Sequence, residues 1–107
     1  MCSSDLPRAQ AILDDMLAKL AEKDFQTGEF YRKRGAIDSA IMYYERMIEQ
    51  YPNAPAVPKA LLRLYESYSE IGYTQEADAA RERLLREFPD SEQARELASR
   101  TSAEEGN

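Results

Sequence analysis

Apolar residues recur along the first half of the chain at the three- and four-residue spacing of amphipathic helices. The spacing predicts a first helix from about Pro7 to Ala21 and a second from about Asp24 to Arg34. Gly35 is a suitable C-terminal stop for the second helix, because glycine adopts the left-handed conformation that ends many helices. A third helix is predicted from about Ile37 to Tyr51.

The second half of the chain repeats this pattern. A fourth helix is predicted to begin between Pro55 and Pro58 and to continue to Ile71, with Gly72 closing it. Thr74 is a plausible N-cap for a fifth helix that ends at Pro89. Asp90 or Ser91 can cap a short sixth helix through Leu97 and Ala98.

These elements predict one all-α domain of about six antiparallel helices over residues 7–100. The segment from Thr101 onward consists of small and polar residues and is expected to fray, which makes residues 101–107 a disordered tail. Residues 1–6 are expected to be a non-native or disordered start.

An internal repeat underlies the similarity of the two halves. Gly35, Ala40 and Pro52 each have an identical counterpart 37 residues further along the chain, at Gly72, Ala77 and Pro89. A period in the thirties, with a small residue in the second of two helices, indicates stacked helical hairpins of the tetratricopeptide type. Because such α-solenoids present surfaces rather than enclosed active sites, the pattern favours a binding scaffold.

Composition excludes several classes of function. The formal net charge is −6, which argues against nucleic acid as the main ligand, since that binding depends on clustered basic residues. Histidine is absent and Cys2 is the one cysteine, so neither a zinc site of Cys and His nor a Ser-His-Asp or Cys-His catalytic group can form. We therefore expect no enzyme activity, no cofactor and no metal.

The first helix of each hairpin supplies the candidate partner-binding residues, because these helices line the concave face of a solenoid. Arginine and aromatic side chains are favoured at interfaces because they combine a large contact area with directed polar groups. An alternative interpretation of Arg32, Lys33 and Arg34 is that three cations at a helix C-terminus complement its dipole. The candidates, expected not to pack inward, are Phe25, Glu29, Arg32, Lys33, Leu62, Glu66 and Ser69.

The apolar face of the first predicted helix is a second candidate contact surface. If no hairpin covers it, part of its apolar face is exposed, and exposed apolar surface of that kind seeks a partner. We expect self-association through this helix. The residues concerned are Ile12, Leu13, Met16 and Leu20.

Three runs of sequence resemble one family closely. They are FYRKRGA from Phe30 to Ala36, YPNAPAVPKAL from Tyr51 to Leu61, and LYESY from Leu64 to Tyr68. The text from Leu20 to Glu92, about two thirds of the chain, is similar to the C-terminal half of the BamD family of tetratricopeptide-repeat lipoproteins.

This resemblance implies a non-enzymatic scaffold on the periplasmic face of the outer membrane. It implies that the repeats bridge subunits of the machinery that assembles β-barrel proteins, through contact with a POTRA domain of a BamA-like protein. The alternative is a generic tetratricopeptide adaptor of the cell envelope that binds another protein or peptide.

The start of the chain is open to two interpretations. Cys2-Ser3-Ser4 could be the acylated N-terminus of a lipoprotein, which would hold the full-length protein to the membrane by its lipid. Alternatively, residues 1–6 are translated from a sequencing adapter at the end of an unfinished assembly, and Cys2 has no role.

Overall fold

The computed structural model describes the backbone of residues 5–105 and the side chains of residues 8–100. Within that range the chain is all α, as predicted, and successive helices pack against one another: α1 on α2, α2 on α3, and α3 on α4. The last helix packs against both α3 and α4. The five helices are α1 (Asp5–Lys33), α2 (Ile37–Gln50), α3 (Val57–Glu70), α4 (Thr74–Glu87) and α5 (Glu92–Glu105).

The first helix corrects the prediction of two helices in this region. α1 is continuous over 29 residues, and the expected break between Ala21 and Asp24 does not occur. Glu22 and Lys23 are good helix formers, and no glycine or proline interrupts the backbone here. What changes near Ala21 is the face that carries the apolar residues. Leu20 is 46% exposed, whereas Ala21 and Phe25 are buried.

The turns between α1 and α2 and between α3 and α4 are built alike. Gly35 and Gly72 have φ of 82° and 83°, the left-handed region in which a Cβ is unfavourable. In each turn the amide of the residue after the glycine donates to a tyrosine carbonyl five residues earlier, Ala36 to Tyr31 and Tyr73 to Tyr68, both at 2.9 Å. This six-to-one bond satisfies a terminal carbonyl of the helix. The predicted glycine stops are confirmed.

The two predicted N-caps have different outcomes. The Ser91 hydroxyl accepts a hydrogen bond from the Ala94 amide at 3.1 Å, so Ser91 caps α5 as predicted. The cap predicted at Thr74 is wrong. Thr74 is already the first residue of α4, Tyr73 holds the cap position, and no side chain caps the helix. The hydroxyl of Thr74 instead donates weakly to the carbonyl of Gly72, at 3.5 Å.

α2 lies between α1 and α3 and contributes much of the core. Tyr44 and Met47 are fully buried, and Phe25 of α1 packs against Tyr44 with their ring centroids 5.6 Å apart. Gly28 lets the helices approach, because a Cβ at this position would lie only 2.6 Å from Tyr44 Cε1. Ala40, the repeated small residue of the second helix, is also fully buried.

The chain ends were predicted as disordered segments. α5 continues to Glu105, so residues 101–105, the first part of the predicted tail, are helical here. Cys2 and the rest of residues 1–4, together with residues 106–107, lie outside the described residues, and the domain boundaries remain predictions. Between residues 5 and 105, no helix has both the length and the apolar character needed to cross a bilayer.

Candidate functional site

A row of alternating charges joins α1, α3 and α5 on one side of the molecule, which we call the α1–α3–α5 face. The Arg63 Nε donates to Glu29 Oε1 at 2.8 Å, and Arg63 Nη1 donates to Glu66 Oε1 at 2.8 Å. The Arg100 Nη1 then donates to the other oxygen of Glu66, Oε2, at 3.0 Å. Arg100 Nη2 also donates to Glu96 within α5, at 2.6 Å. Each link after the first continues the alternation of acid and base.

The row follows the repeat. Glu66 lies 37 residues after Glu29, and Arg100 lies 37 residues after Arg63, so the Glu66–Arg100 pair is the Glu29–Arg63 pair moved along by one unit. The sequence analysis identified both glutamates but missed both arginines. Their own 37-residue separation was the signal that could have found them.

The ion pairs shift the pKa values of Glu66 and Arg63. Burial alone would raise the pKa of Glu66, but hydrogen bonds from Arg63 and Arg100 outweigh it and hold the pKa below its ordinary value of 4.5. Burial would lower the pKa of Arg63, and its bonds to Glu29 and Glu66 raise it instead. Both groups are therefore charged at neutral pH, and the row is a set of true ion pairs.

A buried tyrosine supports the first glutamate of the row. The Tyr44 hydroxyl donates to Glu29 Oε1 at 2.5 Å, the same oxygen that receives Arg63. Burial, and then the neighbouring Glu29 carboxylate, raise the pKa of Tyr44, so this hydroxyl keeps its proton and remains a donor. The core of the first hairpin thus fixes the position of Glu29.

The three cations at the end of α1 have separate environments. Arg32 Nη2 lies 3.3 Å from Glu70 and 3.9 Å from Glu66, so it is a side branch of the row. The guanidinium of Arg34 lies over the Phe30 ring, 3.9 Å from its centroid. Lys33 is exposed. Both interpretations of this cluster stay predictions, and Lys33 and Arg34 are its exposed members.

Two of the predicted contact residues are buried. Phe25 and Leu62 were expected not to pack inward, but each is only 6% exposed. Both side chains belong to the core cluster, and one edge of each remains accessible.

These edges line a cleft of about 330 Å³ on the α1–α3–α5 face. Lys59 lies on its rim, with its ammonium 4.8 Å from the Phe25 centroid and 3.2 Å from Glu22. The cleft is lined by Phe25, Lys59, Leu62, Arg63, Glu92, Gln93, Glu96 and Arg100.

Ser69 is the remaining predicted residue. It is exposed near the end of α3, and its hydroxyl donates to the Tyr65 carbonyl at 2.8 Å within the helix. The structure therefore brings Glu29, Arg32 and Glu66 together in one network. It places Lys33 and Ser69 at the helix ends and makes Phe25 and Leu62 part of the cleft wall.

The chemistry of the face suits binding. Within the described residues there is no cluster of three or more His, Cys, Asp or Glu arranged to hold a metal ion. A cleft with an apolar floor and a charged rim can take one apolar side chain, while the rim offers hydrogen bonds to the backbone around it.

Stacked helical hairpins with left-handed glycine turns and a 37-residue period define a helical-repeat protein of the tetratricopeptide-like class. A family model described as YfiO, outer membrane lipoprotein, matches residues 4–84. The chain belongs to this family.

A curated relative is similar over part of the chain. The outer membrane protein assembly factor BamD of Caulobacter vibrioides is 35% identical over 69 residues, which is 64% of this chain and 23% of that protein. The match thus spans less than a quarter of the relative's length. The resemblance to the BamD family is confirmed, and family membership places the chain at the outer membrane on its periplasmic side.

Proposed function

We propose that this chain is a non-enzymatic scaffold in the assembly of outer membrane proteins, and that the α1–α3–α5 face binds a protein partner. Membership in the family and the name of the relative support the cellular role. The cleft beside the charged row is the observation that supports this face as the binding surface.

The partner we propose is a POTRA domain of a BamA-like protein, so that the chain bridges subunits of the assembly machinery. Every charge in the row has an opposite charge within 3.3 Å, and a partner therefore does not have to compensate an unpaired charge. Recognition then depends on the cleft floor and on the cations at the edge of the face, Lys33 and Lys59. The alternative is an adaptor that uses the same face for a different peptide.

Calorimetric titration with the membrane-proximal POTRA domain of a BamA tests this proposal. We expect binding at micromolar concentration or tighter, and about a tenfold loss with Lys33→Glu, because charge reversal at an interface edge repels complementary groups. Arg32→Glu is a poorer test, because it breaks contacts to Glu66 and Glu70 inside the protein.

Arg86→Glu is the matched control, since it reverses one charge on an α4 side chain that is 70% exposed. Equal loss in the control and in Lys33→Glu would contradict the proposed face. An absence of binding by the folded chain would favour the adaptor alternative, and a pull-down from periplasmic extract would then identify its peptide.

A further inference from the structure

A second groove lies between α2 and α4, on the side of α3 that faces away from the α1–α3–α5 face. Two depressions of about 360 and 260 Å³ share Glu45, Leu64 and Arg83, so they form one continuous groove. Leu64 of its floor lies two residues, or about 200° around α3, from Leu62 of the cleft. The α2–α4 groove has an apolar floor of Ile48, Leu61 and Leu64 and the acids Glu45, Glu49 and Glu76 on its walls.

The groove is formed wholly by three consecutive helices. Its lining comes from α2, α3 and α4 within residues 45–83, all of which the structure describes, and neither α1 nor α5 contributes to it. The whole lining also falls inside the region that matches the family model, residues 4–84. The groove is therefore a feature of the contact between two successive hairpins.

The acids of the groove are not paired. Within the described residues none of Glu45, Glu49 and Glu76 forms an ion pair, and Glu45 accepts only the hydroxyl of Tyr68. The cation in the lining, Arg83, is already paired with Glu87 at 3.3 Å. Each glutamate of the row on the other face has an arginine partner, so the two sides of α3 differ in this respect.

The two acids on α2 also act on each other. They are one helical turn apart, and burial, and then the neighbouring Glu49, raise the pKa of Glu45. A cation placed between them would lower the energy of both charged carboxylates. The groove thus offers an apolar floor together with acceptors that need a positive charge.

We propose that the α2–α4 groove binds an extended basic segment of a partner protein, with one apolar side chain on Leu64 and a lysine or arginine on each side of it. Glu49 lines the first depression, Glu76 lines the second, and Leu64 lines both. The order along the groove is therefore acid, apolar floor, acid.

The length of the groove matches an extended chain. From Glu76 to Arg83 the α4 wall is about 10 Å long at 1.5 Å per residue, which equals about three residues of extended chain at 3.3 Å each. Alternate side chains of an extended chain point the same way. A segment with the pattern basic, any, apolar, any, basic therefore directs its apolar side chain to the floor and its two cations to Glu49 and Glu76.

This groove adds a second surface to the proposed scaffold. Because it and the cleft lie on opposite sides of α3, one chain can hold two partners at once, as bridging requires. The contact is small compared with a standard interface of about 800 Å² per partner, so we expect a short peptide to bind with a dissociation constant of about 1 mM or tighter.

Nuclear magnetic resonance of the ¹⁵N-labelled 107-residue chain, titrated with a capped synthetic peptide, tests the proposal. The probe is Gly-Arg-Ser-Leu-Ser-Arg-Gly, and we expect saturable shifts of the amides around Glu45, Leu64 and Ala79. Replacing both arginines of the peptide by glutamate, or its leucine by serine, should each weaken binding about fivefold or more. Equal binding of either altered peptide, or no saturable shift at about 5 mM probe, would overturn the proposal.

Substitutions in the protein locate the site. Glu49→Lys should weaken binding of the arginine peptide about tenfold, because it places a like charge beside the incoming cation. Asp78→Lys is the matched control, since Asp78 is exposed on α4 about 200° around the helix from Glu76. An equal effect of the two substitutions, or shifts confined to the α1–α3–α5 face, would contradict the groove as the site. The POTRA titration should not change with Glu49→Lys, so the two proposals can fail independently.

Discussion

The two hairpins share a backbone path but have different side chains where their helices meet. In the first hairpin Gly28 of α1 faces Tyr44 of α2, and Tyr44 is fully buried. The equivalent residues of the second hairpin, 37 positions later, are Tyr65 and Arg81, both only partly buried. The difference shows that the repeat conserves the path of the backbone and not the composition of the contact.

The difference follows from position in the stack. α2 packs extensively on both α1 and α3 and buries side chains on two sides, including Ile41, Tyr44 and Ile48, whereas the contact of α4 with α5 is much smaller than its contact with α3. The residues 37 positions later, Asp78, Arg81 and Leu85, lie on α4 and are all at least partly exposed. Substitutions in α2 should therefore cost more stability than the equivalent substitutions in α4.

The largest expected effect is at Tyr44. Tyr44→Ala removes a fully buried ring and the hydrogen bond to Glu29, and it should lower the free energy of unfolding by about 3–5 kcal/mol. Arg81→Ala, the equivalent change in the second hairpin, should cost about 1 kcal/mol or less. Urea denaturation measures both. Similar losses would show that the hairpins do not differ in the way described.

Overpacking should be the next largest effect. Ala40→Leu and Ala77→Leu enlarge equivalent residues that are 0% and 3% exposed, and each should cost about 1–3 kcal/mol. Gly28→Ala should cost a similar amount, because its Cβ meets the Tyr44 ring at 2.6 Å. Adding Tyr44→Leu should relieve much of the Gly28→Ala loss but none of the Ala77→Leu loss. An unchanged melting temperature for Ala40→Leu would show that the helix faces are wrongly assigned.

The pH dependence of stability distinguishes the charged row from the outside of α2. The pKa of Glu66 is lowered in the folded protein, so its stabilising contribution is complete above its ordinary value of 4.5 and is lost as the pH falls below it. Glu66→Gln should therefore flatten the loss of stability as the pH falls below 4.5.

Glu45 on α2 provides the comparison. Burial, and then the neighbouring Glu49, raise its pKa, so its charged form is disfavoured in the folded state. Glu45→Gln should therefore give a small gain in stability at neutral pH. Denaturation midpoints measured across this pH range check both signs, and a steeper acid loss in Glu66→Gln would contradict the account.

The smallest effects compare the two helix starts. Ser91→Ala removes the side-chain cap of α5 and should cost about 1 kcal/mol. Thr74→Ala removes no cap, because the hydroxyl makes only a 3.5 Å bond to Gly72, and it should change stability by less than about 0.5 kcal/mol. Thermal unfolding measures the difference, and an equal cost would show that Thr74 caps α4 in solution.

Sequence reasoning succeeded where a local rule decides the structure. Gly35 and Gly72 end their helices because few other residues adopt positive φ at low cost. Ser91 caps α5 because its hydroxyl satisfies a free amide. The 37-residue offset predicted the order of helices from α2 onward.

Sequence reasoning failed where contacts between helices determine the structure. The division of α1 was wrong because a change in the buried face near Ala21 resembles the end of a helix in a sequence. Phe25 and Leu62 were assigned to the wrong side because each helix has neighbours on two sides, and periodicity alone does not say which neighbour a residue meets. The pairing of Arg63 with Glu29 depends on the distance between α1 and α3, which no local pattern contains.

The central claim is that the α1–α3–α5 face binds a protein partner, and hydrogen–deuterium exchange with and without the POTRA domain tests it most directly. We predict slower exchange in α3 and α5 around the cleft and at the end of α1, with unchanged exchange in the exposed part of α4. Protection confined to α4, or no protection at saturating partner, would contradict the claim.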